Sequence, residues 1–512
     1  MRKKLPIGIQ SLQEIREGNY YYVDKSGFAL QLIDQGKYYF LSRPRRFGKS
    51  LFLDTLKELF EGNRRLFQGL AAGDQWEWSV TYPVIRISFG EGVVKSGGEL
   101  KERITELLRH HQQRLGVVCE AASNAGCFLE LIQKTHQKFG QRVVILVDEY
   151  DKPILDNIES PDTALDIREK LKDIYSVIKG ADAHVKFAFL TGVSKFSKVS
   201  LFSGLNNLQD ITLDKRYSAI CGYTDHDLDA VFAPELAGLD RSEVRDWYNG
   251  YNWIGEAVYN PFDLLLLFDQ REFRPWWFET GTPTFLIKLL SQRQQFTPDL
   301  ARIIAPESLL STFDVGNIPV EALLFQTGYL TIDFARFLPG RLELTLRYPN
   351  KEVQSSLNDA LLRELSRDPM VPAVNVSRLY DILMADDLPA LRELFHSFFA
   401  SIPHDWYRKN QLAGYEGYYA SIFYSYFAAL GLEIIVEDAT NKGRIDMTVR
   451  YNRRIYLFEF KVVEMVPEGK ALEQLKSKGY AEKYRRYGEP ISLIGVEFSR
   501  ESRNIVGFEI EG

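Results

Sequence analysis

In the first two hundred residues, short apolar runs alternate with stretches whose apolar positions recur every three to four residues. The spacing predicts strands at Tyr38–Ser42, Val84–Phe89, Val143–Val147 and Val185–Leu190, and helices at Leu51–Phe60 and Leu100–His110. Val143–Val147 is apolar at every position, as in a strand buried on both faces. Strands separated by helices imply parallel neighbours in an α/β sheet. From about Asp225 the pattern turns helical, through Leu264–Phe268 and Thr284–Leu290. A helix at Pro319–Gly328 then precedes strands Tyr329–Phe334 and Leu342–Tyr348 around a Pro-Gly turn, an order like that of a winged helix. Leu357–Phe399 reads as two or three helices, and Pro403 with the polar residues after it marks a boundary. The last block predicts helix Tyr415–Leu430, strands Ile434–Glu437, Ile445–Arg450 and Ile455–Val462, helix Lys470–Tyr487 and strand Ser492–Phe498.

Length adds that 512 residues exceed one core. Domains of roughly 100–200 residues are usual, so two to four are expected. A net charge of -6 means that any nucleic-acid binding must use a local patch. Three cysteines, Cys119, Cys127 and Cys221, fit a reducing compartment and match no zinc spacing. The seven histidines are scattered, without metal-ligand spacing. No apolar run approaches the roughly 20 residues that span a bilayer. Pro6 and Gly8 follow the charged opening where a signal peptide would be apolar, so a cytoplasmic protein with no membrane partner is expected.

Ser42-Arg43-Pro44-Arg45-Arg46-Phe47-Gly48-Lys49-Ser50 follows a predicted strand and opens a predicted helix, which is the setting of a phosphate loop. N–H groups at a helix N-terminus face phosphates, and the helix dipole favours the anion. Arg45, Arg46, Phe47, Gly48, Lys49, Ser50 and Leu51 are the candidate nucleotide-binding residues, with Lys49 reaching the β/γ-phosphates and the Ser50 hydroxyl on Mg²⁺. Arg43 stands where the G-x-x-x-x-G-K-[ST] pattern has its first glycine. A basic turn that binds nothing is the alternative. The strand Val143–Val147 ends in Asp148-Glu149. Asp148 would hold Mg²⁺ and Glu149 would polarise the attacking water. Two acids in a solvated turn are the plainer reading. Thr191, at the end of the next apolar strand, could sense the γ-phosphate or merely close a strand.

Near the C-terminus, Asp446 lies in a strand and Glu459 and Lys461 in the next. Residues i and i+2 of a strand share a face, so Glu459 and Lys461 point with Ile455 and Leu457, while Tyr456, Phe458 and Phe460 point oppositely into apolar packing. Asp446 and Glu459 could supply hard oxygen ligands for Mg²⁺, and Lys461 could orient the water or stabilise the transition state. Glu416 opens the helix whose stripe carries Tyr419, Phe423, Phe427 and Leu430, and is a further candidate ligand. A same-face ion pair and a helix N-terminal acid are the structural alternatives. Lys476, Lys478, Lys483, Arg485 and Arg486 interleave with Tyr480, Tyr484 and Tyr487, which fits either a nucleic-acid surface or a solvated helix face. Trp276-Trp277 reads as core and turn.

Tyr22-Val23-Asp24-Lys25, Arg43–Ser50, Asp148-Glu149-Tyr150-Asp151 and Leu205-Asn206-Asn207-Leu208 resemble the bacterial AAA-ATPase-like family over residues 5–280. The Arg-Pro-Arg-Arg-Phe-Gly-Lys-Ser loop is that family's own form, and the resemblance implies an ATP-binding domain. The order Glu416, Gly443-x-x-Asp446, Glu459-x-Lys461, then Gln474 and Tyr480, resembles the PD-(D/E)XK nuclease superfamily over residues 400–512. Ile445 stands where its first motif has proline. By that resemblance Asp446, Glu459 and Lys461 are the catalytic core and Glu416 an auxiliary ligand. Gln474 and Tyr480 would steady the site or touch nucleic acid.

The expected fold is an α/β multidomain chain. A P-loop NTPase α/β sheet domain spans 1–215, a helical lid 216–282, a winged-helix-like unit 283–350 and a helical linker 351–402. A C-terminal α/β restriction-endonuclease-like domain spans 403–512. ATP and Mg²⁺, with Mn²⁺ as an alternative at the nuclease site, are the expected cofactors. Nucleic acid, DNA ahead of RNA, is the expected partner, and AAA-like ATPases often complete their sites between subunits, which raises a homo-oligomer. The leading function is a nucleotide state that gates phosphodiester cleavage, in defence or a mobile element. Its rivals are a nucleotide switch that grips nucleic acid without cutting, and an ATPase that remodels protein.

Overall fold

The computed structural model describes residues 2–512 except 196–200, 203–204, 206, 282–285, 288, 291–296, 312–318, 367 and 402–415. Asn206, part of the expected helix Thr284–Leu290, the Pro403 boundary and Tyr415 lie outside the described residues. The chain divides into two compact units, Met1–Trp277 with Ile303–Asn350, and Phe278–Arg302 with Lys351–Gly512. Residues 351–401, expected as a linker, thus belong to the second unit, because Leu379, Leu391, Phe395 and Phe399 share one apolar core with Tyr419, Phe423 and Phe458.

The first unit holds a five-stranded parallel sheet of β1 (Tyr38–Ser42), β2 (Val84–Ser88), β3 (Val143–Asp148), β4 (Val185–Gly192) and β5 (Gln209–Asp210). Its order is β2-β3-β4-β1-β5. Every residue of β1 and β3 is buried, as continuous apolar strands covered on both faces must be. β5 is too short and polar to show in the pattern. The helix after β1 runs Lys49–Phe60 and starts from Gly48, whose φ of 90° suits glycine. A second, three-stranded sheet of β6 (Ile303–Pro306), β7 (Thr331–Leu338) and β8 (Arg341–Arg347) follows the order β6-β8-β7. The helix Val320–Thr327 and the β7–β8 hairpin stand as the pattern predicts.

The second unit carries a mixed sheet in the order β13-β12-β11-β10-β9. Its strands are β9 (Glu433–Thr440), β10 (Gly443–Tyr451), β11 (Arg454–Val463), β12 (Ile491–Ser499) and β13 (Ile505–Glu511), with only β11 and β12 parallel. One face, with Phe458, Phe460, Val496 and Phe498, packs on the helices Leu388–Ser401 and Glu416–Ala429. The other face carries Ile455, Leu457, Leu475, Tyr480 and Tyr484. The single helix expected at Lys470–Tyr487 ends instead at Ser477. Gly479 turns left-handed at φ 60°, and 3₁₀ turns Tyr480–Lys483 and Arg485–Tyr487 follow.

Candidate nucleotide and nuclease sites

In the parallel sheet β1 and β3 flank β4, and their C-terminal ends deliver the loop and the acids to one edge. Lys49 Nζ donates to the carbonyls of Arg43 and Pro44 at 2.9 and 2.8 Å. Burial lowers its pKa, against the pull of Asp148 and Glu149. Ser50 and Leu51 form the first helical turn. Arg45, Arg46 and Gly48 are exposed, and Phe47 is buried between Tyr251 and Trp253 at ring distances of 4.7 and 5.6 Å. Arg46, at φ 69°, lies over Phe262, its guanidinium carbon 4.7 Å from the ring centre. Glu149 sits left-handed at φ 52° just beyond β3, and burial raises its pKa. Strained non-glycine residues of this kind gather at functional sites. Asp148 Oδ1 is buried with no hydrogen-bond partner among the described residues, so a hard oxygen stands ready for a divalent ion. Thr191 has a structural duty: its fully buried hydroxyl donates to the Leu41 carbonyl at 2.8 Å.

Arg43 explains why the loop can lack its first glycine. The side chain is wholly buried, with Nη1 donating to the carbonyls of Ser42 and Thr212 at 2.9 and 3.0 Å and Nη2 to that of Tyr217 at 3.1 Å. Its guanidinium carbon stacks 4.0 Å from the Trp253 ring centre. Trp277, read from the sequence as core, donates its Nε1 to the Arg45 carbonyl at 3.1 Å. No local signal could reveal a contact across 232 positions. Asp151, beyond the acidic pair, is a buried anchor that accepts from the Val193 and Ser194 N–H groups and the Ser194 hydroxyl at 3.2, 2.7 and 2.6 Å.

In the second unit, the β10–β11 ladder ends at the Met447–Phe458 pair. One step further Asp446 Oδ2 accepts the Phe460 N–H at 2.8 Å, so the carboxylate fills the parting between the strands. Glu459 is buried on β11, and Lys461 Nζ donates to its Oε1 at 3.2 Å, as the two-residue spacing requires. The same ammonium lies 3.5 Å from Glu416, which is half-buried at the start of its helix. Gln474 Nε2 also donates to Glu459 Oε1, whereas Glu459 Oε2 is buried with no partner among the described residues. Burial, with Glu416 as a weaker contributor, raises the Asp446 pKa to about 6. Burial and the neighbouring Asp446 raise that of Glu459 to about 7. Burial opposes the Lys461 charge, but Glu459, Glu416 and Asp446 outweigh it and raise its pKa. A cleft of about 490 Å³ opens beside Asp446, lined by Glu416, Tyr424, Glu437, Met447 and Phe460.

The three acids do not form a cage. Lys461 lies between Glu416 and Glu459, and among the described residues no group of three or more His, Cys, Asp or Glu could hold a metal ion. The half-buried Asp446 and the buried Glu459, the latter with an orphan oxygen among the described residues, still fit Mg²⁺, which commonly takes one or two carboxylates and completes its shell with water and phosphate. Gln474 and Tyr480 turn toward these acids. The Tyr480 ring is buried with Ile445, Leu457 and Leu475, so it offers no open stacking face. Lys483 and Tyr484 are both engaged by the buried Asp438, while Lys476 meets Glu511 in an exposed ion pair.

A family model described as "Predicted AAA-ATPase" matches residues 6–202, and one described as "PD-(D/E)XK nuclease superfamily" matches residues 414–508. A protein of Azotobacter chroococcum mcd 1, described as "Uncharacterized protein in vnfD 5'region", is 64% identical over 511 residues, covering 100% of this chain and 99% of its own. The chain belongs to the bacterial AAA-ATPase-like family with a C-terminal PD-(D/E)XK domain. No solved structure matches.

For this AAA-ATPase-like chain, the matched segments contain the site residues named above. Lys49, Asp148 and Glu149 fall in the ATPase match, and Glu416, Asp446, Glu459, Lys461, Gln474 and Tyr480 in the nuclease match. Arg86 on β2 escaped the sequence reading. It pairs with Asp148 and Asp54, and a lone arginine in a short strand gives no local sign of that. No helix among the described residues is long and apolar enough to cross a membrane.

Proposed function

We propose that the chain binds and hydrolyses ATP at the Arg43–Ser50 loop and cleaves phosphodiester bonds of nucleic acid, DNA ahead of RNA, at Asp446, Glu459 and Lys461. The nucleotide state gates the cut. The observation that carries the nuclease reading is the half-buried Asp446 beside the buried Glu459, with Lys461 hydrogen-bonded to Glu459 Oε1 and Glu459 Oε2 unpartnered among the described residues. Mg²⁺ or Mn²⁺ bound there would polarise the scissile phosphate and lower the pKa of a bound water. Glu459 and Asp446 would hold the ion. Gln474 orients Glu459, and Lys461 carries a positive charge to the developing phosphorane. At the loop, Lys49 would leave the Arg43 and Pro44 carbonyls for the phosphates, Ser50 and Asp148 would take Mg²⁺, and Glu149 would take the proton of the attacking water. Gating by the nucleotide rests on the pairing of the two domains in one chain, an argument from architecture.

The test is cleavage of single-stranded DNA, duplex DNA and RNA with Mg²⁺ or Mn²⁺, with and without ATP. Wild type should cut at least one substrate. Asp446→Asn, which keeps an acceptor for the Phe460 N–H, should not. Lys49→Ala should lose nucleotide binding while the second unit stays folded. Equal cleavage by Asp446→Asn would remove the nuclease reading, and retained ATP affinity in Lys49→Ala would remove the loop assignment.

A further inference from the structure

Arg86 sits on β2, on the same face as Ser88, the residue that pairs with Asp148 across the β2–β3 ladder. Its guanidinium spans two acids from different elements. Nη1 lies 3.1 Å from Asp54 Oδ1, on the helix that the phosphate loop opens, and Nη2 lies 3.5 Å from Asp148 Oδ2. Asp54 and the main chain of Arg86 are themselves anchored. Asp54 Oδ2 accepts the Leu12 N–H at 2.8 Å, and the Arg86 carbonyl is 2.7 Å from His111 Nε2. The two oxygens of Asp148 are therefore unequal. Oδ2 faces the guanidinium, and Oδ1 is buried with no partner among the described residues.

We propose that Arg86 is the positioning residue for the metal of the nucleotide site, holding Asp148 by Oδ2 so that Oδ1 faces the ion. This rests on the nucleotide-binding reading above. The charge has a second consequence. A cation beside the carboxylate opposes a bare divalent ion, whereas an ion that arrives on a triphosphate brings negative charge with it. The site therefore takes the metal–nucleotide complex and not the metal alone. Outer groups that orient a metal ligand typically change metal affinity about 10–100-fold when removed.

The experiment is calorimetric titration of the full chain with a non-hydrolysable ATP analogue, once in EDTA and once in excess Mg²⁺, and with Mg²⁺ alone. Wild type should bind the analogue in EDTA and bind it more tightly with Mg²⁺, and any uptake of Mg²⁺ alone should persist in Asp148→Asn and vanish in Asp446→Asn, because it belongs to the second unit. Arg86→Ala should keep the EDTA affinity within about threefold and lose about tenfold of the Mg²⁺ enhancement. Arg86→Lys keeps the charge but cannot span both acids, and should lose part of the enhancement. An undiminished enhancement in Arg86→Ala would overturn the proposal. So would an equal loss of metal-free binding, which would mark Arg86 as scaffold. If the alanine variant does not fold, a wild-type enhancement in Arg86→Lys overturns it. Wild type that ignores the analogue in both buffers sinks the nucleotide reading, and Arg86's role with it.

Discussion

Arg43→Gly would restore the glycine that other phosphate loops carry, and the structure says it should damage the protein. The guanidinium supplies charged donors to three carbonyls, those of Ser42, Thr212 and Tyr217, and stacks on Trp253. Charge-assisted bonds are worth about 1.5–3 kcal/mol each, and a desolvated cation–π contact up to about 2 kcal/mol. Against this, burial opposes the charge and lowers the Arg43 pKa from 12.5 to about 10, which offsets roughly 3 kcal/mol. The net loss in Arg43→Gly is about 4 kcal/mol once the cavity is counted. Tryptophan fluorescence reports it, since six of the seven tryptophans lie between residues 76 and 277, inside the first unit. Urea unfolding followed by that signal should shift to lower denaturant by about 2 M, at a slope of about 2 kcal/mol/M. Nucleotide affinity should not improve. An unchanged midpoint, or tighter ATP binding by Arg43→Gly, would refute the clamp.

His111 should make the first unit acid-sensitive. Burial lowers its pKa from 6.5 to about 4, so between those values the unfolded chain holds a proton that the folded chain does not. Stability then falls as pH drops through that window, by up to about 3 kcal/mol. Urea midpoints at pH 7 and pH 4.5 should converge in His111→Gln, and an equal acid loss in both proteins would exclude His111 as the cause. Asp151→Ala strands two buried N–H groups and a hydroxyl, and should cost about 3 kcal/mol in the same assay. A Cβ at Gly495 would meet the Leu472 backbone nitrogen at 2.4 Å, and Gly495 pairs with Glu459 across β11–β12. Gly495→Ala should push the Gln474 helix outward and lower cleavage about tenfold while the protein still folds, by the usual penalty for loosened positioning of a reactive group. Wild-type cleavage rates in that variant would dismiss the role given to the helix.

Much of this was legible where chemistry depends on near neighbours in sequence. The all-apolar Val143–Val147 run predicted a buried strand, and β3 is buried at every position and ends at Asp148. The spacing of Glu459 and Lys461 predicted one face, and they hydrogen-bond there. Tyr456, Phe458 and Phe460 share the opposite, helix-covered core, as alternation required. What stayed hidden depends on partners distant along the chain. Arg43 looked like a missing glycine because its three acceptors include Thr212 and Tyr217. The spacing gives no sign that Lys483 and Tyr484 are held by Asp438, which reaches them from β9. The Lys470–Tyr487 helix was overextended because a charged, tyrosine-rich segment keeps helical spacing through 3₁₀ turns, and only Gly479 marked the break.

The parting between β10 and β11 has a consequence for how such proteins age. Asp446 substitutes for a neighbouring strand's carbonyl at the Phe460 N–H, so its removal would leave a main-chain donor stranded whether or not anything is ever cut. A lineage that had abandoned catalysis would still find the acid, or its amide, hard to discard. Retention of an oxygen at this position therefore records the architecture of the sheet. Retention of the charge, together with Glu459, records the chemistry.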